Sequence, residues 1–86
     1  PALRLSARPN PFRSRTDISY TVGRAGGVEL AVYDALGRRV RTLVRARQGP
    51  GTHAATFEAG TLPAGVYYCR LRAGDDAGTV KFVLMR

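Results

Sequence analysis

The chain has 86 residues, enough for one domain, and its 44% hydrophobic content with ten Gly and five Pro suits a globular all-β unit. No apolar run approaches the roughly 18 residues that a helix needs to cross a bilayer, and one Cys with one His excludes both an internal disulfide and a zinc site of three or four ligands. Thirteen Arg and one Lys against six carboxylates leave a net charge of +8, a balance that favours acidic partners, although codon or habitat bias also enriches Arg.

In chain order, Leu3, Leu5 and Ala7 alternate with Arg4, Ser6 and Arg8, which predicts a first strand at a sheet edge. Pro9-Asn10-Pro11-Phe12 follows as a stiff connector, because each Pro fixes φ and biases the residue before it toward extended geometry. Phe12 is expected to plug the space beneath it. Thr16 to Val22 predicts the next strand, with Ile18, Tyr20 and Val22 on one face and Asp17, Ser19 and Thr21 on the other. Arg24-Ala25-Gly26-Gly27 reads as a turn. No Lys-Ser/Thr pair or helix follows the glycines, so this is not a phosphate loop.

Val28 to Val44 is the centre of the pattern. Val28, Leu30 and Val32 alternate with Glu29, Ala31 and Tyr33, and Asp34-Ala35-Leu36-Gly37 then supplies an Asp that can bond its own backbone and a Gly that can take positive φ. The chain reverses there into a second strand, where Val40, Thr42 and Val44 oppose Arg39, Arg41, Arg45 and Arg47. Regular alternation places those four arginines on one solvent face as a basic patch, which also guards against edge-to-edge pairing. Leu43 falls on the charged face, and a β-bulge is expected to turn it inward.

Gln48-Gly49-Pro50-Gly51 makes a turn into Thr52 to Glu58, where His53, Ala55 and Phe57 share a face. Leu62-Pro63-Ala64-Gly65 crosses over to Val66 to Arg72. There Tyr67, Cys69 and Leu71 are expected inside, and Val66, Tyr68, Arg70 and Arg72 outside. Tyr67 is a candidate for a tyrosine corner, and Cys69 for an inert core position. Gly74-Asp75-Asp76-Ala77-Gly78 reads as a hairpin turn without the spaced oxygen ligands of a calcium loop. Thr79 to Met85 forms the last strand, with Val80, Phe82 and Leu84 inward and Lys81 and Val83 outward. The start at Pro1, with no initiator Met or signal peptide, is read as the beginning of a piece cut from a longer protein. The end, one residue past the last strand, is read as a natural carboxyl terminus.

Seven short strands with Gly and Pro turns and no helical period predict an antiparallel β-sandwich of immunoglobulin-like shape. The expected split between sheets is four by three, with the strand order open. Nothing assembles paired carboxylates, a Ser-His-Asp or Cys-His set, or a metal cluster, so no catalytic residue and no cofactor is expected.

Four segments occur in a recognisable order: Pro9-Asn10-Pro11-Phe12 with Thr16-Asp17-Ile18-Ser19-Tyr20; Val32-Tyr33-Asp34 with Gly37-Arg38 and Val40 to Leu43; Gly51-Thr52-His53; and Leu62-Pro63-Ala64-Gly65-Val66-Tyr67. Over residues 9 to 86 the chain resembles the carboxyl-terminal sorting domains of the type IX secretion system, and equally the immunoglobulin-like domain of flagellar hook-capping proteins. The resemblance implies a non-enzymatic module at the end of a larger secreted protein, often a hydrolase. It also implies recognition by the outer-membrane secretion machinery, passage through the periplasm, and release or attachment at the cell surface. The recurrent family positions match Asn10, Pro11, Phe12, Tyr33, Asp34, Gly37, Arg38, Gly65 and Tyr67. The last strand and tail, Lys81, Phe82, Val83, Leu84, Met85 and Arg86, are the candidate recognition residues. Alternative readings are an assembly spacer that packs on upstream domains of the same chain, as in hook capping, or a carbohydrate-binding accessory module using Tyr33 and Tyr68. Nucleic-acid binding through Arg39 to Arg47 ranks last, because no stacking aromatics lie among the arginines.

Overall fold

Strict apolar alternation gives each strand one face to bury, and two such sheets close over a common core. The computed structural model describes residues 4–86, with seven strands and no helix among them. The strands are β1 (Leu5–Arg8), β2 (Arg15–Val22), β3 (Gly26–Asp34), β4 (Arg39–Gln48), β5 (Gly51–Glu58), β6 (Gly65–Ala73) and β7 (Asp76–Leu84). Leu3, assigned to the first strand by its alternation, lies outside the described residues. β1-β2-β5 form a three-stranded sheet and β4-β3-β6-β7 a four-stranded one, all pairs antiparallel. The fold is the expected all-β sandwich, split four by three.

The core lies where the alternation predicts. Ile18, Tyr20 and Val22 from one sheet meet Val28, Leu30, Val32, Cys69, Leu71, Phe82 and Leu84 from the other, all buried. His53, Ala55 and Phe57 share the inner side of β5 as register partners of Tyr20, Ile18 and Thr16. The Tyr67 hydroxyl donates to the Pro63 carbonyl four residues upstream, forming the expected tyrosine corner.

Three expectations require correction. Gly26 and Gly27 belong to β3 and pair with Gln48 and Arg47, so the connection from β2 is only Gly23-Arg24-Ala25. The turn before β7 is the pair Gly74-Asp75, not five residues. Gly74 has φ +61° and Asp75 a negative φ, as a II′ hairpin turn requires, which frees Asp76, Ala77 and Gly78 to pair with Ala73, Arg72 and Leu71. β4 also departs from regular alternation. Its register against β3 slips between Leu30 and Ala31, at Leu43, and again between Val32 and Tyr33, at Val40. The first slip is the expected bulge, and it turns Leu43 against the core. Between the two slips Arg41 becomes the partner of Val32, a core residue, so it leaves the face shared by Arg39, Arg45 and Arg47. Its guanidinium lies instead beside Gly60, where a Cβ added by substitution would stand 3.4 Å from Nη2.

Candidate functional site

β7 lies at one edge of the four-stranded sheet, and an edge strand normally presents unpaired N–H and C=O groups. Here the connector closes the carboxyl-terminal part of that edge, from Lys81 onward. The Asn10 side chain donates from Nδ2 to the Lys81 carbonyl at 3.1 Å, and its Oδ1 accepts from the Val83 N–H at 3.1 Å. One step further, the Phe12 N–H donates to the Val83 carbonyl at 2.9 Å, and the Met85 N–H donates to the Phe12 carbonyl at 2.8 Å. The carboxamide of Asn10 thus acts as one peptide unit of an eighth, minimal strand, and Phe12 pairs in parallel with Leu84. The two prolines flanking Asn10, each following a cis peptide bond, cannot donate to a ladder, so a side-chain amide takes that role. Thr16 anchors the connector from the other sheet by donating its hydroxyl to the Pro9 carbonyl at 2.7 Å.

The six candidate recognition residues separate by parity. Phe82 and Leu84 are core, at 0% and 1% exposure. Lys81 is exposed and Val83 half-buried on the outer face, where they pair with Tyr68 and Val66 of β6. Met85 is exposed. Arg86 reaches back to the loop after β5, donating to the carbonyls of Gly60, at 2.8 Å, and Leu62.

Beside these residues the basic patch is built around Glu29. Arg39 donates to both Glu29 oxygens at 3.3 Å, and Arg45 donates to Oε2 through Nη2 at 3.1 Å. Hydrogen bonds from Arg39 and then Arg45 hold the Glu29 carboxyl below its ordinary 4.5. The Arg39 guanidinium also donates to the Tyr33 hydroxyl at 2.9 Å and lies over the Tyr33 ring, 5.5 Å from its centroid. Arg38 instead serves the β3–β4 turn. Asp34 accepts from its backbone N–H and, at 2.8 Å, from its Nε, which together hold the Asp34 carboxyl below its ordinary range.

The Asn10 clamp was not legible from the sequence. An Asn held between two prolines beside a buried Phe was the available signal, but its partners lie 71 and 73 residues away. The outer neighbours of the patch, Arg70 and Arg72, were correctly placed outside their strand. Their position beside β3 depends on the strand order.

Comparison with protein families decides the assignment. The family model of the secretion system C-terminal sorting domain matches residues 6–85. The chain belongs to this family. No curated protein matches the sequence. The sorting-domain match spans the connector and, but for Leu5, all seven strands, so clamp and last strand belong to one family unit. A sorting domain of the type IX system is a non-catalytic module. Among the described residues no three His, Cys, Asp or Glu side chains gather where they could hold a metal ion.

Cys69 is the one cysteine of the chain, and it lies in the core. Burial pushes its thiol up to about 12, so the thiolate is scarce at neutral pH. A thiol reagent such as an aromatic disulfide is expected to leave Cys69 unmodified in the folded domain and to react fully in urea. Rapid labelling without denaturant would contradict the burial described here.

Proposed function

We propose that this domain is the sorting and surface-anchoring module of a larger secreted protein, and that the type IX machinery at the outer membrane reads it through the outward face of its last strand. One observation carries the reading beyond family membership. From Lys81 to Leu84, β7 is paired on one side with β6, and from Lys81 to Met85 the chain is hydrogen-bonded on the other side to Asn10 and Phe12. Recognition by adding a strand along Lys81 to Met85 would first have to displace the connector. The side chains left open to a receptor are Lys81, Val83 and the Met85-Arg86 end. The cargo crosses the periplasm with the domain already folded, and any enzymatic activity of the parent protein resides in its upstream domains.

A fluorescent reporter carrying an export signal and fused upstream of the 86-residue chain tests the sorting role. In a host with type IX secretion the reporter is expected at the surface or in the medium, and in a mutant lacking the system it is expected in the periplasm. Retention in the periplasm of both hosts would refute the proposal.

A further inference from the structure

The two outer faces of the sandwich differ in charge. Between the strands of the three-stranded sheet each cation has a carboxylate opposite it, Arg8 against Asp17 and Arg15 against Glu58, with Arg4 just before β1 the one addition. On the four-stranded sheet Arg39, Arg45, Arg47, Arg70, Arg72 and Lys81 share the outer face with one carboxylate, Glu29. Edge protection explains cations on β4, which is an edge strand. It does not explain Arg70 and Arg72, because β6 is paired on both sides. Glu29 engages Arg39 and Arg45, whereas among the described residues Arg47, Arg70, Arg72 and Lys81 form no ion pair. Gathering unpaired like charges on one face opposes folding, so their value lies outside the fold.

The register shows what they surround. Arg39, Tyr33, Tyr68 and Lys81 form one row across the sheet, and Thr42, Ala31, Arg70 and Thr79 form the next. The strands are about 4.8 Å apart, and side chains two residues apart on one strand are roughly 7 Å apart. At this end of the face a shallow cleft of about 310 Å³ opens between Tyr33, Tyr68, Arg70 and Thr79. The Tyr33 ring is already covered by Arg39, while Tyr68 is 36% exposed. Asp34, on the cleft wall, has its carboxylate committed to Arg38 and to backbone N–H groups. Further along the face, Arg45, Arg47 and Arg72 line a second depression.

We propose that this face binds an acidic polysaccharide, with a sugar ring lying against Tyr68 and its carboxylate paired with Arg70, and with Arg72, Arg47 and Lys81 meeting neighbouring acidic groups. A uronic-acid ring offers a flat C–H face for Tyr68, hydroxyls for Thr79 and a carboxylate suited to bidentate pairing with a guanidinium. An acidic chain without rings, such as poly-L-glutamate, has nothing flat to lay against Tyr68. An anionic membrane favours several apolar side chains that can insert together; beside the cleft Val66 and Val83 are half-buried, and Leu36 on the β3–β4 turn is the exposed one.

The test is affinity electrophoresis of the 86-residue chain through gels containing polygalacturonate. Parallel gels contain fully methyl-esterified polygalacturonate or poly-L-glutamate of matched charge, and sedimentation with phosphatidylglycerol vesicles completes the set. Retardation by polygalacturonate is expected, with Tyr68→Ala and Arg70→Ala each weakening binding about tenfold. Arg15→Ala, on the opposite sheet, is expected to leave it unchanged. Poly-L-glutamate is expected to bind about tenfold more weakly, because it lacks the ring. The proposal is overturned by the absence of retardation, by equal binding to poly-L-glutamate or to the esterified polymer, or by tighter binding to vesicles. Full binding by a Tyr68→Ala variant that melts normally also overturns it. Failure on any of these leaves the sorting role untouched, since that role is read by localisation.

Discussion

Phe12→Ala is expected to lower the stability of the domain by about 3 to 5 kcal/mol, the range for removing a fully buried aromatic ring. Phe12 comes from the connector, not from a strand, yet it is 2% exposed. Its ring stacks on Phe82 with centroids 5.4 Å apart and meets Phe57 edge-on at 5.8 Å. Phe57 and Phe82 in turn contact each other at 5.5 Å and both approach Tyr67. Truncation opens a cavity at the junction of connector, β5, β6 and β7, in a fold too rigidly paired to collapse into it. A domain of this size is stable by roughly 4 to 13 kcal/mol, so the variant loses a large fraction of its margin. Phe12→Leu keeps most of the volume and is expected to cost less than about 1.5 kcal/mol. Urea melts of the two variants check the ordering, with an unchanged slope showing that stability alone has shifted. A loss below about 1 kcal/mol for the alanine variant would show that the ring is not a core residue.

Asn10→Ala is the second large effect, because it opens the β7 edge without touching the core. Two hydrogen bonds, each contributing about 0.5 to 1.5 kcal/mol net, disappear together. The expected loss of about 1 to 3 kcal/mol corresponds to a melting temperature lower by about 4 to 8 °C for each kcal/mol in a domain of this length. The Val83 amide, which donates to Asn10 Oδ1, is expected to exchange with solvent much faster than the Phe82 and Leu84 amides, which face β6. With the Lys81 carbonyl and Val83 N–H exposed, concentration-dependent self-association through β7 is also expected. Unchanged exchange at Val83 would mean that the carboxamide does not close the edge.

The strands, the four-by-three division and the inner faces outside β4 were legible because period-two alternation is a local property of sequence, and Ile18-Tyr20-Val22 or Tyr67-Cys69-Leu71 declares a buried face unaided. In β4 Thr42, expected inward with Val40 and Val44, lies on the outer face beside Arg39. The bulge at Leu43 was also legible, since an isolated apolar residue among arginines has no other comfortable place. What failed was non-local or degenerate. The second slip, at Val40, leaves no sequence mark beyond an ordinary valine, and it removed Arg41 from the patch. In Gly74-Asp75-Asp76-Ala77-Gly78 either glycine could have made the turn. Only Gly74 takes a positive φ, while Gly78 pairs with Leu71 in the ladder. Of the candidate site, the outward direction of Lys81 and Val83 was readable. The closed edge beside them was not, because it depends on Asn10 meeting residues at the other end of the chain. Strand order likewise decides which cations become neighbours, and it brought Arg70 and Arg72 of β6 beside β3, where Glu29 sits.

The claim that the last strand is read by its face is tested most directly by secretion of a reporter fused to the Lys81→Glu/Val83→Ser double variant, after a thermal melt shows that the domain still folds. Deleting Phe82 to Arg86 is a poorer test, because it removes the core residues Phe82 and Leu84 and so tests folding as well as recognition. The prediction is a folded variant whose reporter stays in the periplasm of a secretion-competent host while the wild-type fusion reaches the surface. Normal surface delivery of the double variant would contradict it, and would move the recognition surface away from β7.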